Sequence, residues 1–388
     1  MTRPTVDAPL PELVDAAAPS STGSAGPIGP VGDWLDAIDV PTGQAEATGE
    51  TVAPGGLDRL VGRALAGAAD LTAALPEPGS GRTADLWGAL ARIAAADLTV
   101  ARAIEPHLDA MHIIGQARAA GLAAPSDTSG CWGVFAAEAP PGVGPRVEAT
   151  RDDTGAWRLT GRKPWCSLSR RLVRALITAW VGDDERALFA VDLAGPGVRA
   201  VDAAWVARGL SAVDSGPLDF DHAPAEPVGP PGWYLQRPGF AWGGIGVAAI
   251  WYGGALGVAR RLLPKPAGRE PDQIAQAHLG ACDAALHAAR AVLASAAAQV
   301  DAGEATGEAG AMLALRVRAV VAQAAEEVLR RADHGLGPGP LATDETHARR
   351  VADLHLYLRQ WHAERDHAAL GRAVAQAALG QAVARAAR

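Results

Sequence analysis

Cysteine is scarce in this chain, and its few copies are scattered. The sequence of 388 residues contains only Cys131, Cys166 and Cys282. It has no CxxC pair and no grouping of cysteine and histidine at the spacing of a zinc site. A disulfide framework would need more cysteines, placed closer together. We therefore expect neither a disulfide-stapled fold nor a structural metal, and we predict no metal ligand.

Positive charge is also in deficit. The chain has 35 Lys and Arg against 43 Asp and Glu, which gives a formal net charge of -8. Proteins that bind nucleic acid need a basic surface to neutralise its phosphates, so we expect no nucleic-acid partner. Residues 1–33 lack the basic start and apolar run of a secretory signal. We expect no membrane-spanning stretch elsewhere, and the predicted location is the cytoplasm.

Aromatic residues are few and unevenly chosen. They make up 5% of the chain, with 11 Trp against 4 Phe and 3 Tyr. Alanine, by contrast, is abundant throughout. Small side chains let helix axes approach one another, and broad indole rings fill the gaps that remain. This composition favours closely packed helices.

The apolar pattern changes period twice along the chain and predicts four regions. Residues 1–50 combine Pro, Gly and acidic residues with little periodicity, which predicts a flexible arm. Residues 51–128 show helical periodicity. Residues 129–232 contain short apolar runs punctuated by turn residues, which predict an antiparallel barrel or sandwich of six to eight strands. Residues 233–388 return to the helical period and predict a bundle of about four long helices.

The segment Leu159–Ser167, LTGRKPWCS, carries the most informative motif. It resembles the L-x-G-x-K-x-W-[IV]-[TS] strand of the acyl-CoA dehydrogenase superfamily, and the resemblance extends from Leu86 to the C-terminus. It implies that family's fold: N-terminal helices, a middle β-domain and a C-terminal four-helix bundle. It also implies that Trp165 and Ser167 lie beside a flavin ring. An indole can cover the ring face, and a hydroxyl can bond its polar edge.

A second segment, Trp132–Pro140, is similar to the family's stretch ending in T-E-P, which meets flavin and substrate. The resemblance implies flavin contacts at Phe135 and Ala137. Alanine stands where the family has threonine, so the bond that the threonine side chain would form is absent here. Backbone N–H groups of this segment can still donate to a flavin.

Gln273 and the stretch around Gly335 and Gly337 resemble the two segments with which one subunit holds its neighbour's flavin nucleotide. Glycines allow a backbone to approach a pyrophosphate closely. The resemblance therefore implies FAD as cofactor and a homodimer or homotetramer as the assembly.

The resemblance does not single out one catalytic residue. Counting along the family pattern puts Trp361 where the proton-abstracting glutamate is usual, so the nearest carboxylate is Glu364, about one helical turn away. With Glu364 as base, the resemblance implies α,β-desaturation of an acyl-CoA thioester with hydride transfer to flavin N5. With His362 in its place, it implies a monooxygenase that uses reduced flavin, since histidine titrates near neutral pH. A third alternative is a non-catalytic member used for binding or assembly.

Overall fold

The computed structural model describes residues 10–13, 30–40, 55–139, 146–264 and 270–386. These residues fall into two compact units. A helical unit holds the described residues of Met1–Val52, Pro76–Leu98 and Ala241–Arg388, and a β-unit holds those of Ala53–Leu75 and Thr99–Phe240. Most of the predicted arm, residues 1–50, lies outside the described residues.

The α-helices account for most of the described residues. In chain order they are α1 (Pro30–Ala37), α2 (Gly56–Ala66), α3 (Ala68–Ala74), α4 (Thr83–Ala96), α5 (Leu98–Ala119), α6 (Trp233–Gln236), α7 (Pro238–Ala259), α8 (Gln273–Asp301), α9 (Gly307–Leu336), α10 (Pro338–Thr343), α11 (Glu345–Tyr357) and α12 (Glu364–Ala386). Among them α7, α8, α9 and α12 are the long helices of the predicted C-terminal bundle. The helix-rich fold class predicted from the sequence is confirmed.

Seven strands lie in the described residues, within the predicted range. They are β1 (Trp132–Phe135), β2 (Glu148–Arg151), β3 (Trp157–Lys163), β4 (Arg174–Val181), β5 (Glu185–Asp192), β6 (Val198–Ala200) and β7 (Leu218–Val228). Pairing runs β4-β2-β3-β7-β5 and returns from β5 to β4, which closes a small barrel. Most pairs are antiparallel, but β1 and β2 pair with β4 in parallel. The long connections between these strands allow that arrangement.

The barrel has two apolar layers because strand residues alternate between faces. Along β4, Ala175, Ile177 and Ala179 point into the barrel core. Leu176, between them, packs outward in a second cluster that includes Ile113 of α5. Both clusters are buried, so the sequence of β4 is a nearly continuous run of apolar residues. The same burial on two faces is expected of any central strand that is covered on both sides.

Helix α7 bears on the expectation that the chain has no stretch able to span a membrane. With the short turn that extends it to Leu262, it is long and apolar enough to cross a membrane by length and composition. Most of it is buried, however. A Cβ at Gly253 would lie 2.2 Å from the carbonyl oxygen of Ala91 on α4. Helix α7 is therefore apolar all round because it is the core helix of its unit.

The two described pieces of the predicted arm are docked on the helical unit. Leu10 and Leu13 are buried, and the Tyr252 hydroxyl donates to the carbonyl oxygen of Pro11 at 2.5 Å. Trp34 on α1 is buried as well. Isolated apolar residues thus hold short pieces of a segment whose average composition predicts no fixed structure.

The predicted helical region 51–128 is shared between the two units. Helix α4 belongs to the helical unit, whereas α2, α3 and nearly all of α5 belong to the β-unit. In the β-unit, the backbone N–H of Trp132 donates to Nδ1 of His107 at 3.3 Å. This bond ties β1 to α5. It also requires His107 to be neutral, because the accepting nitrogen must carry no proton.

We predict that the folded chain loses stability as the pH falls below about 6.5. Burial lowers the pKa of His107 from 6.5 to about 4, so the unfolded chain takes up a proton in this window and the folded chain does not. For each such histidine, the free energy of unfolding should fall by on the order of 1 kcal/mol per pH unit across this window. Urea unfolding of wild type and His107→Gln measures the effect, at pH values from roughly 7 to 4.5 that span this pKa shift. A difference between the two proteins that stays constant with pH would contradict it.

Candidate functional site

Strand β3 ends in a turn whose backbone is unusual. Trp165 and Leu168 both have positive φ, at 58° and 57°, which is rare for large side chains and costs free energy. The turn is held by the opposite segment: Cys166 N–H donates to the Gly216 carbonyl at 3.0 Å, and Leu168 N–H donates to the Asp214 carbonyl at 2.7 Å. Residues 165–168 and 214–216 therefore form one rigid wall.

The structure shows why the L-x-G-x-K-x-W motif has a glycine at position 161. Its φ is 128°, and a Cβ there would lie 2.1 Å from the carbonyl oxygen of Arg146. The strand register shifts at the same point, between Leu159 and Gly161. A side chain at this position would push β3 away from its neighbour and displace the turn that follows.

The wall borders a cavity of about 810 Å³. Its volume falls within the range of small-molecule and cofactor sites. Trp165 stands on its surface with 62% of the residue exposed, which is unusual for tryptophan. The lining consists of Ala139, Arg162, Pro164, Trp165, Ser169, Arg170, 200–205 and 214–217.

Two arginines in this lining are paired with carboxylates. Arg162 makes a two-point contact with Asp219, at 2.5 and 2.9 Å, and Arg170 lies 2.5 Å from Asp202. The pairing with Arg162 lowers the pKa of Asp219, so both partners stay charged. These paired charges largely cancel. The lining also contains the indole of Trp165, the hydroxyls of Ser169 and Ser215, and Asp214.

Ser167 lies one layer behind the cavity surface. Its hydroxyl is 2.7 Å from that of Ser215, which lines the cavity. Nη2 of Arg102 on α5 donates to Ser167 at 3.0 Å. The sequence motif pointed to Ser167 but gave no signal for Arg102 or Ser215. Both are distant in sequence and lie outside the motif, and only the fold brings them together.

Behind the wall, Lys163 forms a buried polar cluster. Its side chain is fully buried, and Nζ donates to Glu138 Oε1 at 2.5 Å and to the Thr178 hydroxyl at 2.8 Å. Arg186 lies 3.6 Å from the same carboxylate oxygen. Burial lowers the pKa of Lys163, and the Glu138 carboxylate opposes that shift. The pair joins the end of β3 to the segment after β1.

The structure separates Phe135 and Ala137. Phe135 is 3% exposed and belongs to the barrel core, whereas Ala137 is exposed. Neither is in the lining of the cavity. From this segment, Ala139 contributes to the lining instead. Flavin contacts at Phe135 and Ala137 stay a prediction.

The predicted nucleotide-binding residues belong to the helical unit. Gln273 is the first residue of α8 and is exposed. Gly335, near the end of α9, packs against α8, where a Cβ would lie 3.3 Å from Cβ of His278. Gly337 follows with φ of 66° and ends the helix. The first turns of α8 and the end of α9 are thus neighbours, and nucleotide binding by Gln273, Gly335 and Gly337 stays a prediction.

The two catalytic candidates are exposed residues at the start of α12. Glu364 is the first residue of that helix, and His362 Nδ1 lies 3.6 Å from Asp366 Oδ1. Trp361 is buried, and its ring meets His367 edge-on at 5.2 Å. The position that resembles the family's glutamate is therefore filled by a packed indole.

No family model and no curated protein matches this chain. Solved structures do match over nearly its full length. KijD3, in complex with FMN and dTDP-3-amino-2,3,6-trideoxy-4-keto-3-methyl-D-glucose, is 20% identical with a TM-score of 0.69, covering 92% of this chain and 95% of that one. Dibenzothiophene monooxygenase TdsC from Paenibacillus sp. A11-2 is 19% identical with a TM-score of 0.66, covering 88% and 95%.

A third structure is the Tcur3481-Tcur3483 steroid ACAD, G363A variant. It is 23% identical with a TM-score of 0.64, and the match covers 90% of this chain and 96% of that one. The chain has the acyl-CoA dehydrogenase fold. The fold that the motif at Leu159–Ser167 implied is thereby confirmed, including the helices on either side of the β-domain. At these identities the acyl-CoA dehydrogenase fold is what the comparison establishes.

We predict that Glu138→Gln destabilises the chain by roughly 3 kcal/mol, because it leaves the Lys163 ammonium buried without its counter-charge. Lys163→Met should cost less when made on top of Glu138→Gln than alone, since the two residues are coupled. Urea unfolding of both single variants and the double variant measures this coupling. Glu148→Gln, in an exposed pair with Arg146, is the matched control and should change stability by less than about 0.5 kcal/mol. Strict additivity would contradict the prediction.

Proposed function

We propose that this chain is a flavin-dependent enzyme whose isoalloxazine ring lies against Trp165. The observation that carries the proposal is the exposed indole on the wall of an 810 Å³ cavity. A large aromatic residue in a left-handed backbone conformation, held outward by a rigid turn, is the kind of strain that accumulates at binding sites. It gives a planar ligand a preformed face to stack on.

The cavity suits the flavin in two further respects. Pro164 and Trp205 add apolar surface to the lining, and Ser215 adds a hydroxyl that can meet a polar ring edge. Flavins need this combination of a flat apolar face and a few directed polar groups. KijD3 and TdsC, which share the fold, both have structures with FMN. FMN is therefore proposed beside the FAD that the nucleotide-segment resemblance implies.

Trp165→Ala should weaken flavin binding by about tenfold or more, because it removes the stacking face. The substitution removes little packing, since the residue is mostly exposed. Quenching of FMN and FAD fluorescence on titration with protein measures both affinities. Val206→Ala, at a residue 80% exposed and outside the cavity lining, is the control and should leave them unchanged. Equal affinities of Trp165→Ala and wild type would remove the support for the stacking site.

For the reaction itself, we propose oxygen chemistry with reduced flavin over acyl-CoA desaturation. Desaturation needs a carboxylate sheltered enough for its pKa to rise toward that of a carbon acid. Glu364 is exposed, and the buried Trp361 stands at the position that resembles the family's base. A monooxygenase needs no such base. His362, which lies beside Asp366, stays the alternative candidate that the resemblance offers for this chemistry.

Two measurements separate the reactions, the first without oxygen and the second with it. We expect that acyl-CoA thioesters of short, medium and long chain fail to bleach protein-bound flavin, and that bound reduced FMN reoxidises in oxygenated buffer at a rate different from that of free reduced FMN. Bleaching that Glu364→Gln abolishes would instead establish desaturation with Glu364 as base. A protein that takes up neither FMN nor FAD would favour the non-catalytic alternative.

We also propose that the enzyme is a homodimer or homotetramer. The resemblance at Gln273 and Gly335 implies a flavin nucleotide shared with a neighbouring subunit. Ile274, beside Gln273, and Leu379 on α12 are each 67% exposed. Exposed large aliphatic side chains on helices are consistent with a surface that another subunit covers.

A further inference from the structure

Three polar side chains form a continuous line from α5 to the cavity. Arg102 Nη2 lies 3.0 Å from Ser167 Oγ, and Ser167 Oγ lies 2.7 Å from Ser215 Oγ. Ser215 lines the cavity. The two serines face each other because the turn 165–168 is bonded to residues 214–216 along the backbone. All three residues belong to the β-unit.

The chemistry of these groups sets the direction of the bonds. A guanidinium can only donate, so Ser167 must accept from Arg102. The proton of Ser167 is then best used toward Ser215, since Ser167 is only 7% exposed and an unused buried hydroxyl is costly. Ser215 in turn has its own proton to donate. In the structure that proton goes to the carbonyl oxygen of Val213 at 3.2 Å.

The last bond of the line is the weakest. At 3.2 Å it is long for an O–H donor, which usually lies 2.5–3.0 Å from its acceptor (~2.7 Å on average). A better acceptor in the cavity can therefore take the Ser215 proton by a rotation of one hydroxyl. Hydrogen bonds in a chain polarise one another, and the side chain of Arg102 is only 13% exposed. Arg102 Nη1 lies 3.8 Å from Glu105 Oε2, while Nη2 donates to Ser167 and so strengthens the donor that Ser215 offers to the cavity.

We infer that Arg102, Ser167 and Ser215 form a donor relay that favours an electron-rich, negatively charged ligand edge at Ser215. This inference rests on the proposed function: with a flavin as ligand, the relay favours the reduced, anionic ring over the oxidised, neutral ring. Ser215 is the residue that touches the ligand, and Arg102 and Ser167 are positioning residues that act through it.

The test compares affinities for the two redox states of FMN. Wild type should bind dithionite-reduced FMN more tightly than oxidised FMN in anaerobic titration calorimetry. Ser215→Ala should reduce that preference by about tenfold, the size expected for loss of one hydrogen bond to a charged group. Ser167→Ala should reduce it in the same direction, because it disconnects Ser215 from Arg102. Ser215→Thr keeps the hydroxyl and should retain the preference.

Ser169→Ala is the matched control, since Ser169 lines the same cavity but forms no part of the relay. It should change the affinities for both redox states alike. Retained preference in Ser215→Ala, with wild type binding both forms, would overturn the relay while leaving the flavin proposal standing. Failure of wild type to bind either form would overturn both. Thermal melting of each variant checks that the fold is kept. If Ser167→Ala is destabilised, the comparison of Ser215→Ala with Ser215→Thr tests the relay.

Discussion

The buried ammonium of Lys163 is the constraint on which the proposed site depends. It lies at the end of β3, two residues before Trp165, and bonds Glu138 after β1 and Thr178 on β4. A buried charge is tolerated only with its partners in place. The three strands are therefore tied together where the wall of the cavity begins. From this anchor the chain enters a turn with two positive φ angles.

The segment from Lys163 to Leu168 is held in place in two ways, by a side chain and by its backbone. Lys163 fixes the position of β3, whereas backbone bonds from 214–216 fix the turn itself. Burial also raises the pKa of the Cys166 thiol to about 12, so the residue between Trp165 and Ser167 is an uncharged packing group. The wall residues that line the cavity include Trp165 with its indole, Ser215 with its relayed hydroxyl, and Asp214. The indole and the hydroxyl are suited to a planar ligand with a polar edge.

Much of the fold could be predicted from the sequence, because periodicity and turn residues report local structure. Six of the strands, β1 to β5 and β7, coincide with apolar runs of the sequence. Strand β6, with three residues, is too short to give a period. Helix α7 was not predicted as a candidate span, although its length and composition are sufficient for one. The closure of the barrel through β4 and β5 depends on pairings between distant residues, which no local pattern encodes.

The candidate site was only partly predictable. Trp165 and Ser167 belong to a motif with fixed spacing, and the structure brings both to the wall. The flavin contact at Phe135 comes from the resemblance and stays a prediction; the alternation of β1 turns its ring into the barrel core. Arg102 and Ser215 come from a helix and a loop that are far apart in sequence. Their alignment with Ser167 is a property of the fold, so it could be found only from coordinates.

The central claim is that the cavity beside Trp165 binds an isoalloxazine ring. Visible circular dichroism of oxidised flavin, recorded with and without the wild-type protein, tests it most directly, because a ring held in an asymmetric site acquires a signal that the free cofactor has only weakly. The account predicts a new, saturable band in the flavin absorption region. A spectrum of the mixture equal to that of free flavin, for both FMN and FAD, would contradict it.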